Sequence, residues 1–129
     1  MSTHMNTQPV PIPLYTSRGD AEAYLVYPNL FNRQGEWIGF VTPQREVYSV
    51  LGHYVGKVTD DRRIVRKRVT STFKPDRTPP PHPGRAIIPP MAALAPMMSD
   101  LTVSYLDVLL EEPELLHTVD AGELRQDMD

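Results

Sequence analysis

The feature that most constrains this chain is an internal repeat. Leu14-Tyr15 is followed five residues later by Gly19 and nine residues later by Ala23. Leu30-Phe31 is followed at the same offsets by Gly35 and Gly39, and Val47-Tyr48 by Gly52 and Gly56. Ile64-Val65 opens a fourth copy that does not continue in the same way. A period of about 16–17 residues is one supersecondary unit, too small to bury its apolar face without its neighbours.

Each copy reads as a β-hairpin. Leu14-Tyr15-Thr16, Leu30-Phe31-Asn32 and Val47-Tyr48-Ser49 are the outgoing strands, and a glycine follows in each turn where a positive φ is needed. The return strands are Ala21 to Val26, Trp37 to Val41 and Tyr54 to Val58. Between copies lie Tyr27-Pro28-Asn29, Thr42-Pro43-Gln44-Arg45 and Thr59-Asp60-Asp61-Arg62, which carry proline or acidic turn formers. Alternation places Trp37, Gly39 and Val41 on one inward face, with Ala21, Ala23 and Leu25, and with Tyr54, Gly56 and Val58. The middle position is always small, as expected if the aromatic of the preceding strand lies across it. The fold class implied is all-β, a small closed or nearly closed antiparallel meander of about four hairpin repeats.

The rest of the chain divides by composition. Residues 1–13 form an extended N-terminal arm with alternating prolines and His4; the β-repeat domain spans 14–70. A Pro-rich extended linker follows over 71–98, with eight prolines between Lys74 and Pro96. Such a run forms neither helix nor ladder and serves as a semi-rigid spacer. Ile87-Ile88 and Met91 to Met98 are too apolar for a solvated linker, so they should lie along a surface. Residues 99–129 read as a short amphipathic helix through Leu101 to Leu110 and an acidic tail with Gly122 as a flexible point.

Charge is distributed unevenly. Leu14 to Arg68 holds nine Lys/Arg against six Asp/Glu, whereas Ser99 to Asp129 holds one Arg against nine Asp/Glu. The tail should therefore fold back on the basic body or meet a basic partner. Arg62, Arg63, Arg66, Lys67 and Arg68 cluster on the last strand of the body. They serve either as edge protection paired with the acidic tail or as a contact for nucleic acid. The overall net charge of −3 argues against a dedicated nucleic-acid binder.

The sequence lacks the usual signs of catalysis. It has no cysteine, hence no disulfide, thiolate nucleophile or cysteine-based metal site. His4, His53, His82 and His117 are not at metal-ligand spacing, and no phosphate-binding or nucleophile motif is present. We therefore expect no enzyme, no metal and no cofactor. No apolar run approaches the ~20 residues of a membrane span and no secretory leader is visible, so a cytoplasmic location is expected.

The run Leu30-Phe31-Asn32-Arg33-Gln34-Gly35-Glu36-Trp37-Ile38-Gly39-Phe40 resembles the four-fold β-flower proteins, a bacterial group. The resemblance covers residues 14–68 and implies a small pseudo-symmetric β assembly, without catalytic residues. Tyr48-Ser49-Val50-Leu51-Gly52-His53-Tyr54-Val55-Gly56-Lys57-Val58 is similar to a PRC-barrel segment, a β-barrel used for assembly. The chain also looks akin to scaffold subunits of large bacterial respiratory enzymes such as uptake hydrogenases. The function expected is a non-catalytic assembly or scaffold subunit, and a homo-oligomer stays open. Leu101, Tyr105, Leu106, Val108, Leu109, Leu115 and Leu116 would reach a larger protein partner through the tethered C-terminal segment. The same helix could instead pack on its own barrel. The alternative function is a nucleic-acid-binding module on residues 62–68, with the acidic tail as autoinhibitor.

Overall fold

A computed structural model describes residues 10–69 and 74–120. Residues 1–9 of the arm, with His4, the junction at 70–73 and the tail from Ala121 with Gly122 lie outside the described residues, and the arm's last two residues belong to the first strand. Within them, eight strands form one antiparallel meander in chain order. These are β1 (Ile12–Tyr15), β2 (Ala21–Val26), β3 (Asn29–Phe31), β4 (Trp37–Val41), β5 (Glu46–Ser49), β6 (Tyr54–Val58), β7 (Ile64–Lys67) and β8 (Tyr105–Asp107). A short helix α1 (Val108–Glu111) and a single 3₁₀ turn at Pro113–Leu115 follow. The all-β meander of hairpins read from the repeat is thus the observed fold.

One turn design is used five times. In 16–20, 32–36, 42–46, 49–53 and 59–63 the first residue's N–H donates to the fifth carbonyl, and the fourth N–H donates back to the first carbonyl. The side-chain oxygen of Thr16, Asn32, Thr42, Ser49 or Thr59 accepts the N–H of the fifth residue. The fourth residue has φ between +64° and +89° every time, as a three-residue hairpin loop ending in a left-handed residue requires. Gly19, Gly35 and Gly52 meet this within the repeats; Arg45 and Arg62 meet it between them. The turns within the repeats and two of the three between them are therefore the same object; the first between repeats is a two-residue link at Tyr27-Pro28.

Each of the three loops within a repeat ends in a β-bulge, and the bulge moves the faces. Tyr15 pairs with Ala21 but Leu14 with Ala23; Phe31 pairs with Trp37 but Leu30 with Gly39; Tyr48 pairs with Tyr54 but Val47 with Gly56. Strict alternation had Trp37 facing inward with Gly39 and Val41. Instead Ile38 and Val41 enter the central core, while Trp37 is buried in an outer cluster with Phe31 and Val50. The bulge inserts one residue and turns Trp37 to the other side. The small central residues also have a different cause from the one expected. A Cβ on Gly39 would strike the Tyr48 carbonyl and sit 3.0 Å from Leu116 Cδ2, and one on Gly56 would lie 2.7 Å from the Val65 carbonyl. Backbone from the next hairpin fills that space, not the preceding aromatic.

Leu14, Leu30, Val47 and Ile64, one from each copy, are fully buried and form the heart of the core. The fourth hairpin is completed from far away. β8 pairs with β7 through Val65 with Asp107, Arg66 with Leu106 and Lys67 with Tyr105. The helix expected across 101–110 is therefore strand over Tyr105–Asp107, because β7 would otherwise present an unpaired edge. The ring is then tied: Tyr15 N–H donates to the Arg62 carbonyl at 2.7 Å, and Ser17 N–H to the Asp107 carboxylate at 2.6 Å.

A strap and its candidate docking surface

The Pro-rich segment is extended, and it is bound along its length to the hairpin tips. Arg77 N–H donates to the Gly52 carbonyl and, nine residues on, Ala86 N–H donates to the Gly35 carbonyl, both at 2.9 Å. Nine residues further, Ala95 Cβ lies 3.8 Å from where a Cβ on Gly19 would be. A polyproline-like chain advances about 3.1 Å per residue, so nine residues would span about 28 Å if straight, and less where Gly84 turns the chain at φ +83°. The strap visits the hairpins in reverse order and arrives at β8 beside the first.

Side chains reinforce each stop. At the third hairpin Lys74 pairs with Glu46 at 2.6 Å and lies over the Tyr54 ring, and Arg77 lies over the Tyr48 ring. The Lys74 ammonium, which hydrogen-bonds the Glu46 carboxyl, holds it below its ordinary value. His53 Nδ1 is 3.1 Å from Asp76 across the same stop. At the second, His82 meets Trp37 edge-on with centroids 5.0 Å apart, and Ala86 and Ile88 pack on the Phe31 cluster. At the first, the Tyr15 hydroxyl donates to the Ala93 carbonyl at 2.7 Å. The strap's other side faces outward and is apolar: Ile87 is 73 % exposed, Met91 83 %, Leu94 96 % and Met97 98 %.

Of the two places expected for the C-terminal apolar residues, a partner or this chain's own barrel, most take the second. Leu106, Val108, Leu109 and Leu116 are core residues of this chain, and Leu101, Tyr105 and Leu115 are half-buried. Burying each such aliphatic is worth about 1.5–3 kcal/mol, which the chain's own small core supplies without a partner. The basic cluster is largely engaged at home. Arg66 pairs with Glu112 at 2.6 Å and Arg68 with Glu111 at 2.9 Å. Arg63 is buried and donates to Asp61, to the Ser17 hydroxyl and to the Ser99 carbonyl. The acidic segment thus folds back on the basic strand. Arg62 and Lys67 are exposed, with no ion pair among the described residues. The Asp61 carboxyl is held below its ordinary value by hydrogen bonds from Arg63, and that of Glu111 by the Asp107 N–H and then Arg68.

His117 Nδ1 faces the neighbouring Thr118 carbonyl, and no metal-binding group of three His, Cys, Asp or Glu occurs among the described residues. No helix among them is long and apolar enough to cross a membrane.

Four antiparallel hairpins about a common core, three of them capped by one strap, define a pseudo-fourfold β module. The chain belongs to the 4-fold beta flower protein family, whose model matches residues 12–105. The match runs from the first residue of β1 to the first of β8, so it takes in the strap as well as the repeats. No curated protein and no solved structure matches the chain.

Proposed function

We propose that this protein is a non-catalytic assembly module that docks a larger protein partner through the outward side of its strap. The observation that supports this reading is the arrangement of the strap itself. Its inward atoms fasten it to the hairpin tips, while Ile87, Met91, Leu94 and Met97 face solvent one after another. A line of large apolar side chains held out on a tethered backbone marks an interaction site, and its ordering cost is already met before binding. Methionines suit such a surface because they adapt to the partner's shape. Half-buried Leu101 and Tyr105 extend the face toward β8.

The test is a change of the outward residues alone, Ile87→Ser, Met91→Ser, Leu94→Ser and Met97→Ser together. The full chain and this variant are tagged and recovered from the native host. A stoichiometric protein partner held by the first and lost from the second, with the melting temperature unchanged, is the expected result. Equal recovery of the same partners by both would rule out the strap as the docking face.

A further inference from the structure

Hairpin one breaks the repeat at two successive positions. The first return-strand residue is aromatic in hairpins two and three, Trp37 and Tyr54, and each is covered by a strap residue, His82 and Lys74 respectively. At the same position hairpin one has Ala21. The next residue is a buried aliphatic in the other copies, Ile38 and Val55, and is Glu22 here. His82 stands four residues before Ala86, which docks on the tip of hairpin two; the residue four before Ala95 is Met91. Met91 is 83 % exposed.

What the missing ring leaves is an open cleft of about 500 Å³ between the strap at Pro90–Leu94 and the start of β2. That lies within the ~300–1,000 Å³ of small-ligand pockets. Ala21 and Ala92 help form its walls. Tyr24 also lines it, its ring buried and its hydroxyl at the surface with no hydrogen-bond partner among the described residues. Asp20, Glu22 and Arg33 line it as well, and none of the three has an ion pair among the described residues.

We propose that this cleft is a seat for a planar aromatic ring supplied from outside the chain, by a tryptophan or tyrosine of the partner protein with a basic residue beside it. The ring takes the place that Trp37 and Tyr54 fill in the other hairpins. Met91 stands in the strap between the lining residues Pro90 and Ala92, and its exposed side chain can turn inward over the ring, as sulfur and ring edge attract. Tyr24 offers its hydroxyl to the ring's N–H or O–H. Asp20 and Glu22 face the basic neighbour, and buried aromatic anchors are what concentrate affinity at such interfaces. The seat rests on the docking reading only for the source of the ring.

The experiment is a titration of the ¹⁵N-labelled full chain with N-acetyltryptophanamide, acetyl-Trp-Lys-amide and adenosine, followed by amide shifts. Expected are saturable shifts confined to residues 19–24 and 91–95, on the order of 1 mM for the single ring. The lysine should tighten binding about two- to fivefold, as an exposed ion pair does. A21W, which supplies the ring internally, should abolish the shifts; A21L, which fills the space without a ring, serves if A21W does not fold. Absence of saturable shifts, or equal shifts in a folded A21W or A21L, overturns the seat. Tighter binding of adenosine than of either tryptophan probe overturns the protein source. If A21W keeps the native partner while the outward strap variant loses it, the seat fails and the docking surface stands.

Discussion

Gly52 and Gly35 carry two demands at once, and Gly84 only one. All three have φ above +80°, where an L side chain costs about 1–2 kcal/mol. At Gly52 a Cβ would also collide with the Arg77 carbonyl, and at Gly35 with that of Ala86; at Gly84 it would meet nothing. Gly84→Ala should therefore cost about 1–2 kcal/mol in urea unfolding and leave the strap in place. Gly52→Ala and Gly35→Ala should cost clearly more, because the strap's backbone must also leave the tip. Equal losses at all three would mean that the strap is not held there. Glycine at these offsets is plain in the sequence; that two of them make room for a distant carbonyl is not, since nothing local signals what will approach. Arg45 and Arg62 hid two further copies of the same turn, although Thr42 and Thr59 stand where Thr16, Asn32 and Ser49 stand. A search for a hydroxyl or amide side chain at the first turn position would have found all five.

At the scale of elements, two carboxylates join parts distant in sequence, Glu46 to the strap and Glu111 to β7, and a third, Asp61, braces its own turn. All three are held below their ordinary values. A carboxylate depressed on folding stabilises the fold fully once the unfolded chain has ionised it, above about pH 4–5. That stabilisation is lost as pH falls through the ordinary values toward the depressed ones. Urea midpoints should thus be flat near neutrality and drop below about pH 4.5, more shallowly in the triple variant Glu46→Gln, Asp61→Asn, Glu111→Gln. A variant with the same acid slope would place the linkage in other groups. The charge asymmetry left open whether the acidic segment would meet the basic strand or a partner; Glu111 and Glu112 meet the strand. It did not foretell that Arg66 and Arg68 would pair with Glu112 and Glu111, since that depends on β8 lying beside β7.

For the whole molecule, the C-terminal segment is structural. A chain ending at Ser104 loses β8 and α1, and with them Leu106, Val108, Leu109 and Leu116 from the core. At about 1.5–3 kcal/mol each, that loss is comparable to the ~5–15 kcal/mol stability of an ordinary small domain. The truncated chain should show no cooperative urea transition by circular dichroism. Retention of a cooperative transition would make the segment a tether after all. This is also why the docking test alters outward side chains and cuts nothing away.

The sequence by itself determined the repeat, the hairpins, their turn glycines and the all-β class, because those depend on offsets of a few residues and on period-two alternation. It also carried the extended nature of the proline segment, which follows from missing donors and a fixed φ. Which strand closes the fourth hairpin was decided only in three dimensions. Leu101 to Leu110 has an apolar pattern that suits a helix equally well, and the open edge of β7, far back in the chain, converted part of it to strand. The course of the strap was decided there too, since one N–H to one carbonyl at each of two tips leaves no local trace. That Ala21 stands where the other hairpins have Trp37 and Tyr54 is legible in the repeat; that this leaves a cleft follows only from the strap that covers all three hairpins.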